Sequence, residues 1–131
     1  DWSDTGECHE NDGIHRNSGT IYRLSYGPAG KLEMDLDQAR DEQLVQFAVG
    51  QDVWLERQSR QVLADRAAEK KLSIDATQSL GKLLTHPSAH VRLRALWALQ
   101  TIGQLSEAQW RSAWQDEDEH VRLQALEMGL D

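Results

Sequence analysis

The side chains best suited to chemistry lie near the start of the chain. Cys8, His9, Asp12 and His15 fall close together in the turn-rich stretch DWSDTGECHENDGIHRNSGT. Thiolate, imidazole and carboxylate all ligate transition metals, and a loop lets three of them converge on one ion. These four are the candidate metal ligands. The competing reading is a polar loop whose side chains satisfy backbone groups at a strand edge, because neighbours such as Cys8 and His9 reach one ion only across a bend. Asp1, Asp4, Glu7, Glu10 and Asp12 add carboxylates. The Asp-x-Asp-x-Asp-Gly spacing of a calcium loop is missing, which favours a solvated acidic loop. No Gly-x-Ser-x-Gly stands before a helix and no phosphate-cradling glycine loop follows a strand, so no catalytic residue is assigned. With one cysteine, the chain has no internal disulfide.

Charge narrows the function further. Of 22 acidic residues against 14 Lys and Arg, 10 acids and 4 bases lie in residues 1–50, leaving 12 acids and 10 bases in residues 51–131. The acidity belongs to the N-terminal part. No basic stripe is present to neutralise phosphates, which argues against nucleic-acid and anionic-lipid partners. No apolar run approaches the roughly 20 residues that span a bilayer, so direct membrane insertion is not expected. No targeting segment can be read, and the chain looks like a piece of a longer protein.

Two kinds of element must carry these residues. Thr20–Tyr26 (TIYRLSY) alternates in strand period and stops at Gly27, Pro28 and Gly30. From about Asp37 the period becomes helical. Helices are expected over Gln38–Val49, Val53–Lys70, Ala76–Thr85, Ala89–Ile102, Glu107–Gln115 and Glu119–Leu130. The domain boundary is therefore placed between residues 1–35, loop plus strand, and residues 36–131, helices.

An internal repeat organises the helices. VRLRALWAL from Val91 matches VRLQALEMG from Val121 at five of nine positions, 30 residues apart. His90 and His120 recur with it, so repetition explains them, and His86 beside them, better than a ligand set does. A weaker copy begins at Leu55. Asp52, Ser88 and Asp118 each stand three residues ahead of their copy, placed as N-caps of the second helix in a pair. Ser106 with Gln109 reads as a capping box and Asp75 with Gln78 is close to one. Leu105 and Ile74 are placed for hydrophobic staples. Val91, Ala95, Leu99 and Ile102, widened by Leu93, Leu96 and Trp97, make an apolar stripe too broad for one-face burial. Such a helix touches both its own partner and a neighbouring pair. Five of the eight aromatic residues are tryptophans. Trp97, Trp110 and Trp114 have core-compatible spacing, with a partner-binding ridge as the alternative. Met128 and Leu130 lie in a last pair without a polar cap, which predicts self-association or fraying there.

The VRLRALWAL and VRLQALEMG segments, each after a capped turn, resemble the second helices of HEAT-type repeats over about residues 38–131. The implied fold is mainly α: a right-handed α-α superhelix, a HEAT/ARM-like solenoid of about three helix pairs, behind a short β-containing segment. The resemblance implies that Arg92 and Arg122 meet an acid in the adjacent turn, with Glu56 standing at that place in the first copy. Arg92, Arg122, Trp110 and Trp114 are the candidate partner-binding residues.

The segment DWSDTGECHENDGIHRNSGTIYRLSYG is similar to the end of the propeller domain in membrane-bound dehydrogenase-type, heme-binding-domain proteins of planctomycete and verrucomicrobial bacteria. In that family a β-propeller precedes HEAT-like helices and a c-type cytochrome domain with Cys-x-x-Cys-His. Here Thr5 occupies the place three before Cys8, so Cys8 and His9 do not form a heme attachment. Any heme would lie in a separate domain of the parent, with no cofactor in this chain. The implied setting is extracytoplasmic, periplasmic or cell-envelope associated. The expected function is a non-catalytic scaffold or protein-interaction segment whose partners are proteins or neighbouring domains of the same polypeptide. The alternative is part of a sugar or alcohol dehydrogenase-like oxidoreductase, with Cys8, His9, Asp12 and His15 at a cofactor rim.

Overall fold

The structure, a computed structural model, describes residues 26–27 and 34–129. The strand expected over Thr20–Tyr26 lies outside the described residues except for Tyr26. The helical unit begins at Met34. It holds a single 3₁₀ turn at Leu36–Gln38 and then α1 (Asp41–Ala48), α2 (Val53–Ala68), α3 (Ile74–Leu83), α4 (Ala89–Thr101), α5 (Glu107–Trp114) and α6 (Glu119–Met128). The described residues are thus mainly helical, with no strand among them.

Local chemistry sets most helix starts. The Asp52 carboxylate accepts the Leu55 N–H at 2.9 Å and starts α2. Asp118 accepts from His120 and Val121 and starts α6. At α5 the box is complete: the Gln109 N–H reaches the Ser106 hydroxyl at 3.3 Å, and the Gln109 side-chain oxygen accepts the Ser106 N–H at 2.9 Å. Ser88 precedes α4 as expected, but its side chain makes no capping bond. Instead its own N–H donates to His86 Nδ1 at 3.1 Å.

Two starts differ from the sequence reading. Residues near Gln38 form a separate turn, because the Asp35 carboxylate caps it through the Asp37 N–H. Helix α3 starts after Ser73, ahead of the expected Ala76, with Ser73 Oγ accepting the Ala76 N–H. Ile74 is then the first helical residue and is 75% exposed, so it forms no staple. The helix stops also differ in kind. Gly103, with φ 67°, supplies the left-handed residue after α4 and lets the Gln104 N–H reach back to the Leu99 carbonyl. After α2 the same role falls to Lys70 at φ 58°, which has a Cβ to accommodate.

Consecutive helices joined by short turns pack as hairpins: α1 on α2, α3 on α4, α5 on α6. Between hairpins, α2 lies on α4, α4 on α6, and α1 on α3. The larger apolar core joins the first two hairpins around Leu44, Val45, Leu63, Leu80 and Leu99. A smaller one joins the last two around Leu96, Ala113, Val121 and Ala125. Leu96, Ala98 and Leu99 of α4 are all fully buried, so this helix is covered on more than one side, as its broad stripe predicts.

Candidate functional site

Arg92 and Arg122 are placed alike and completed differently. Arg92 Nη1 donates to the carbonyls of His86 and Pro87 at 2.9 and 3.1 Å. Thirty residues on, Arg122 Nη1 donates to the carbonyls of Asp116 and Glu117 at 2.7 and 2.9 Å. Each arginine thereby closes the turn ahead of its own helix. Arg92 does more. Its Nε and Nη2 form a fork on the Asp116 carboxylate at 2.9 and 2.7 Å, reaching into the next hairpin. Asp116 also accepts the Asp118 N–H at 2.8 Å. Burial alone would raise the Asp116 carboxyl, but the Arg92 fork and the Asp118 N–H outweigh it and hold it below the usual carboxylate range. The same hydrogen bond to Asp116 raises the Arg92 guanidinium. Among the described residues no carboxylate completes the fork edge of Arg122.

Glu56, at the matching place in the first copy, is only 3% exposed and lies 2.8 Å from Arg60 Nη1, without the alignment of a hydrogen bond. The joint between the first two hairpins is made elsewhere. Asp41, at the start of α1, accepts from Arg66 at the end of α2 and from the Ser73 N–H that opens α3. Here too desolvation opposes ionisation, and the Ser73 N–H with Arg66 overcomes it, lowering the Asp41 carboxyl.

A trough of about 680 Å³ runs along α2 and α4 and reaches Met128 of α6. Its wall carries Glu56, Arg57, Arg60, Arg94 and Trp97. The Arg60 guanidinium lies over the Trp97 ring, 5.4 Å from its centroid. Arg94 is only 8% exposed, yet its Nη1 has no hydrogen-bond partner. Leaving such a donor unmet costs about 1–3 kcal/mol or more. A smaller apolar cleft of about 240 Å³ opens between α3 and α5, beside Arg92 and Asp116, where α5 packs on α6 rather than along α3.

The tryptophan pair occupies another place. Trp110 donates its indole N–H to the Ala125 carbonyl at 2.7 Å and joins the smaller core. Gly129 answers it, since a Cβ there would come within 2.5 Å of the Trp110 ring. Trp114 stacks on Trp110 at 5.3 Å with a 41° tilt and is 46% exposed. Of the candidate partner-binding residues, Arg92 and Arg122 therefore meet around Asp116, while Trp110 and Trp114 form a separate pair. Cys8, His9, Asp12 and His15 lie outside the described residues. Among the described residues no group of three His, Cys, Asp or Glu side chains is placed to hold a metal ion, and no helix is long and apolar enough to cross a membrane.

The trough arginines were missed in the sequence. For Arg94 the signal is angular. Arg92 and Arg94 stand two apart, about 200° around a helix, so both are buried only when the helix is covered on opposite sides. Compared with known proteins, the chain matches no family model, no curated protein and no solved structure.

Proposed function

We propose that the chain is a non-catalytic scaffold: a short right-handed HEAT-like solenoid that stacks helix hairpins and presents surfaces to protein partners or to neighbouring domains of the same polypeptide. On the resemblance drawn from the sequence, it would space the domains of a larger extracytoplasmic dehydrogenase-type protein. The observation that carries this reading is the equivalence of Arg92 and Arg122, each bound to the same pair of carbonyls in its own turn at a 30-residue interval. A stack built from repeated units keeps such contacts because every unit solves the same joining problem.

The apolar seam follows the same register. Leu96 is fully buried against the next hairpin, and its counterpart Leu126 is 41% exposed. Leu93 is partly buried in that seam, and its counterpart Leu123 is 54% exposed. With the fork edge of Arg122, these side chains make one face of α6 the counterpart of the α4 face that receives α5 and α6. Its fitting partner is a helical hairpin with an acid in the turn, as Asp116 is for Arg92.

The test is to append a duplicate of residues 102–131 after Asp131, which keeps the 30-residue register and puts the duplicate of Asp116 as far after Arg122 as Asp116 is after Arg92. The extended chain should unfold at higher urea than the original in one transition, and Arg122→Gln should cancel most of the gain. An appended unit that adds nothing, or that unfolds separately, would contradict stacking. Turnover of an alcohol or sugar with an artificial electron acceptor would contradict the non-catalytic role.

A further inference from the structure

We infer that the trough along α2 and α4 binds a carboxylate-bearing segment of a partner protein, with Arg94 as its anchor. This goes beyond stacking and uses side chains other than those of the α6 face.

Three observations carry it. Arg94 is more than nine-tenths buried, lines the trough, and holds an Nη1 with no partner. Nη1 itself is closed off from solvent, so a ligand reaches it when the Arg94 side chain turns toward the trough that it lines, and a carboxylate then matches the planar fork. Second, the trough has the opposite charge sense to the chain. The chain carries a net charge of -8, whereas the trough wall has Arg57, Arg60 and Arg94 against Glu56 alone. Glu56 is charge-paired with Arg60 at 2.8 Å without an aligned hydrogen bond, which leaves Arg57 and Arg94 as the cations to face a ligand. Third, Trp97 and Val53 supply apolar wall beside the cations. Acidic side chains interleaved with apolar ones fit that mixture.

The same features argue against nucleic acid. One or two carboxylates suffice for Arg57 and Arg94, whereas a phosphate backbone would need a longer basic stripe than the trough's lining supplies.

The experiment is fluorescence anisotropy on the full chain with a labelled peptide alternating Glu and Leu, its Gln-for-Glu counterpart, and a single-stranded oligonucleotide of the same length. The acidic peptide should bind at least tenfold more tightly than the neutral one. Arg94→Gln should weaken it by about 30-fold, because a buried charged partner is lost. Arg57→Gln, at the exposed rim, should weaken it by about two- to threefold and reduce its salt dependence. Should Arg94→Gln fail to give the helical circular dichroism of the parent, Arg57→Gln with the salt series decides. Arg111→Gln removes the same charge from the outer surface of α5 and should change nothing.

Equal binding of the two peptides, no binding at millimolar peptide, tighter binding of the oligonucleotide, or full competition by millimolar inorganic phosphate would each overturn the inference. None of these outcomes touches the urea test of stacking, so failure here leaves that reading standing.

Discussion

The two joints between hairpins do the same work with different chemistry. Between the first and second hairpins, α1 lies on α3 and α2 on α4, and the larger core runs through both contacts. Asp41 ties Arg66 to the Ser73 N–H, but the apolar contact carries most of the joint. Between the second and third hairpins α4 and α6 pack closely, and a cleft stands open beside α3 and α5. The core there is smaller, and the Arg92–Asp116 fork carries a larger share. A joint built on area tolerates the loss of one polar contact. A joint built on one buried ion pair does not, since removing Arg92 leaves the Asp116 carboxylate with the Asp118 N–H in place of a paired charge.

That contrast can be broken or sharpened by substitution. The largest effect is expected in the leaner seam: Leu96→Ala should cost about 2–5 kcal/mol in urea denaturation and release α5 and α6 ahead of the rest. Arg92→Met leaves the Asp116 carboxylate in a site that is mostly buried, and should cost about 3 kcal/mol. Asp41→Asn should cost clearly less, because that joint rests on apolar contact; equal losses would erase the distinction drawn here.

Acid should act on the same pairs. Asp116 and Asp41 ionise below the usual carboxylate range when folded. Their contribution is therefore complete above about pH 5, where the unfolded carboxylates are almost wholly ionised, and is lost progressively as pH falls through the lower folded-state values. Urea midpoints followed downward from neutral pH should show this loss, and Asp116→Asn should flatten part of it. The smallest effect is at the helix stops. Lys70→Gly relieves a left-handed residue and should stabilise by about 0.5–1 kcal/mol, whereas Gly103→Ala should destabilise.

How much of this was legible in the sequence depends on the range of the interaction. The starts of α2, α4, α5 and α6, the 30-residue interval and the Ser106–Gln109 box are local or periodic, and the structure places them where the residues indicate. The start of α3 was not legible, because Ser73 is fixed by Asp41, 32 residues away. Trp114 has the same spacing as a core residue yet stays 46% exposed, because it stands on the side of α5 turned away from the residues that line the cleft beside α3. Arg94 carried a usable sign in its angle to Arg92. Its missing partner belongs to three-dimensional packing and had no local trace.

Hydrogen exchange followed residue by residue tests the central claim most directly, on the parent chain and on Arg92→Met. If the hairpins are stacked units held by separate joints, α5 and α6 lose protection first in the parent. The substitution should then lower their protection sharply while α1 and α2 keep theirs. An equal loss in all six helices would mean that the fork at Asp116 is not the tie between units, and the stacked-unit account would fail.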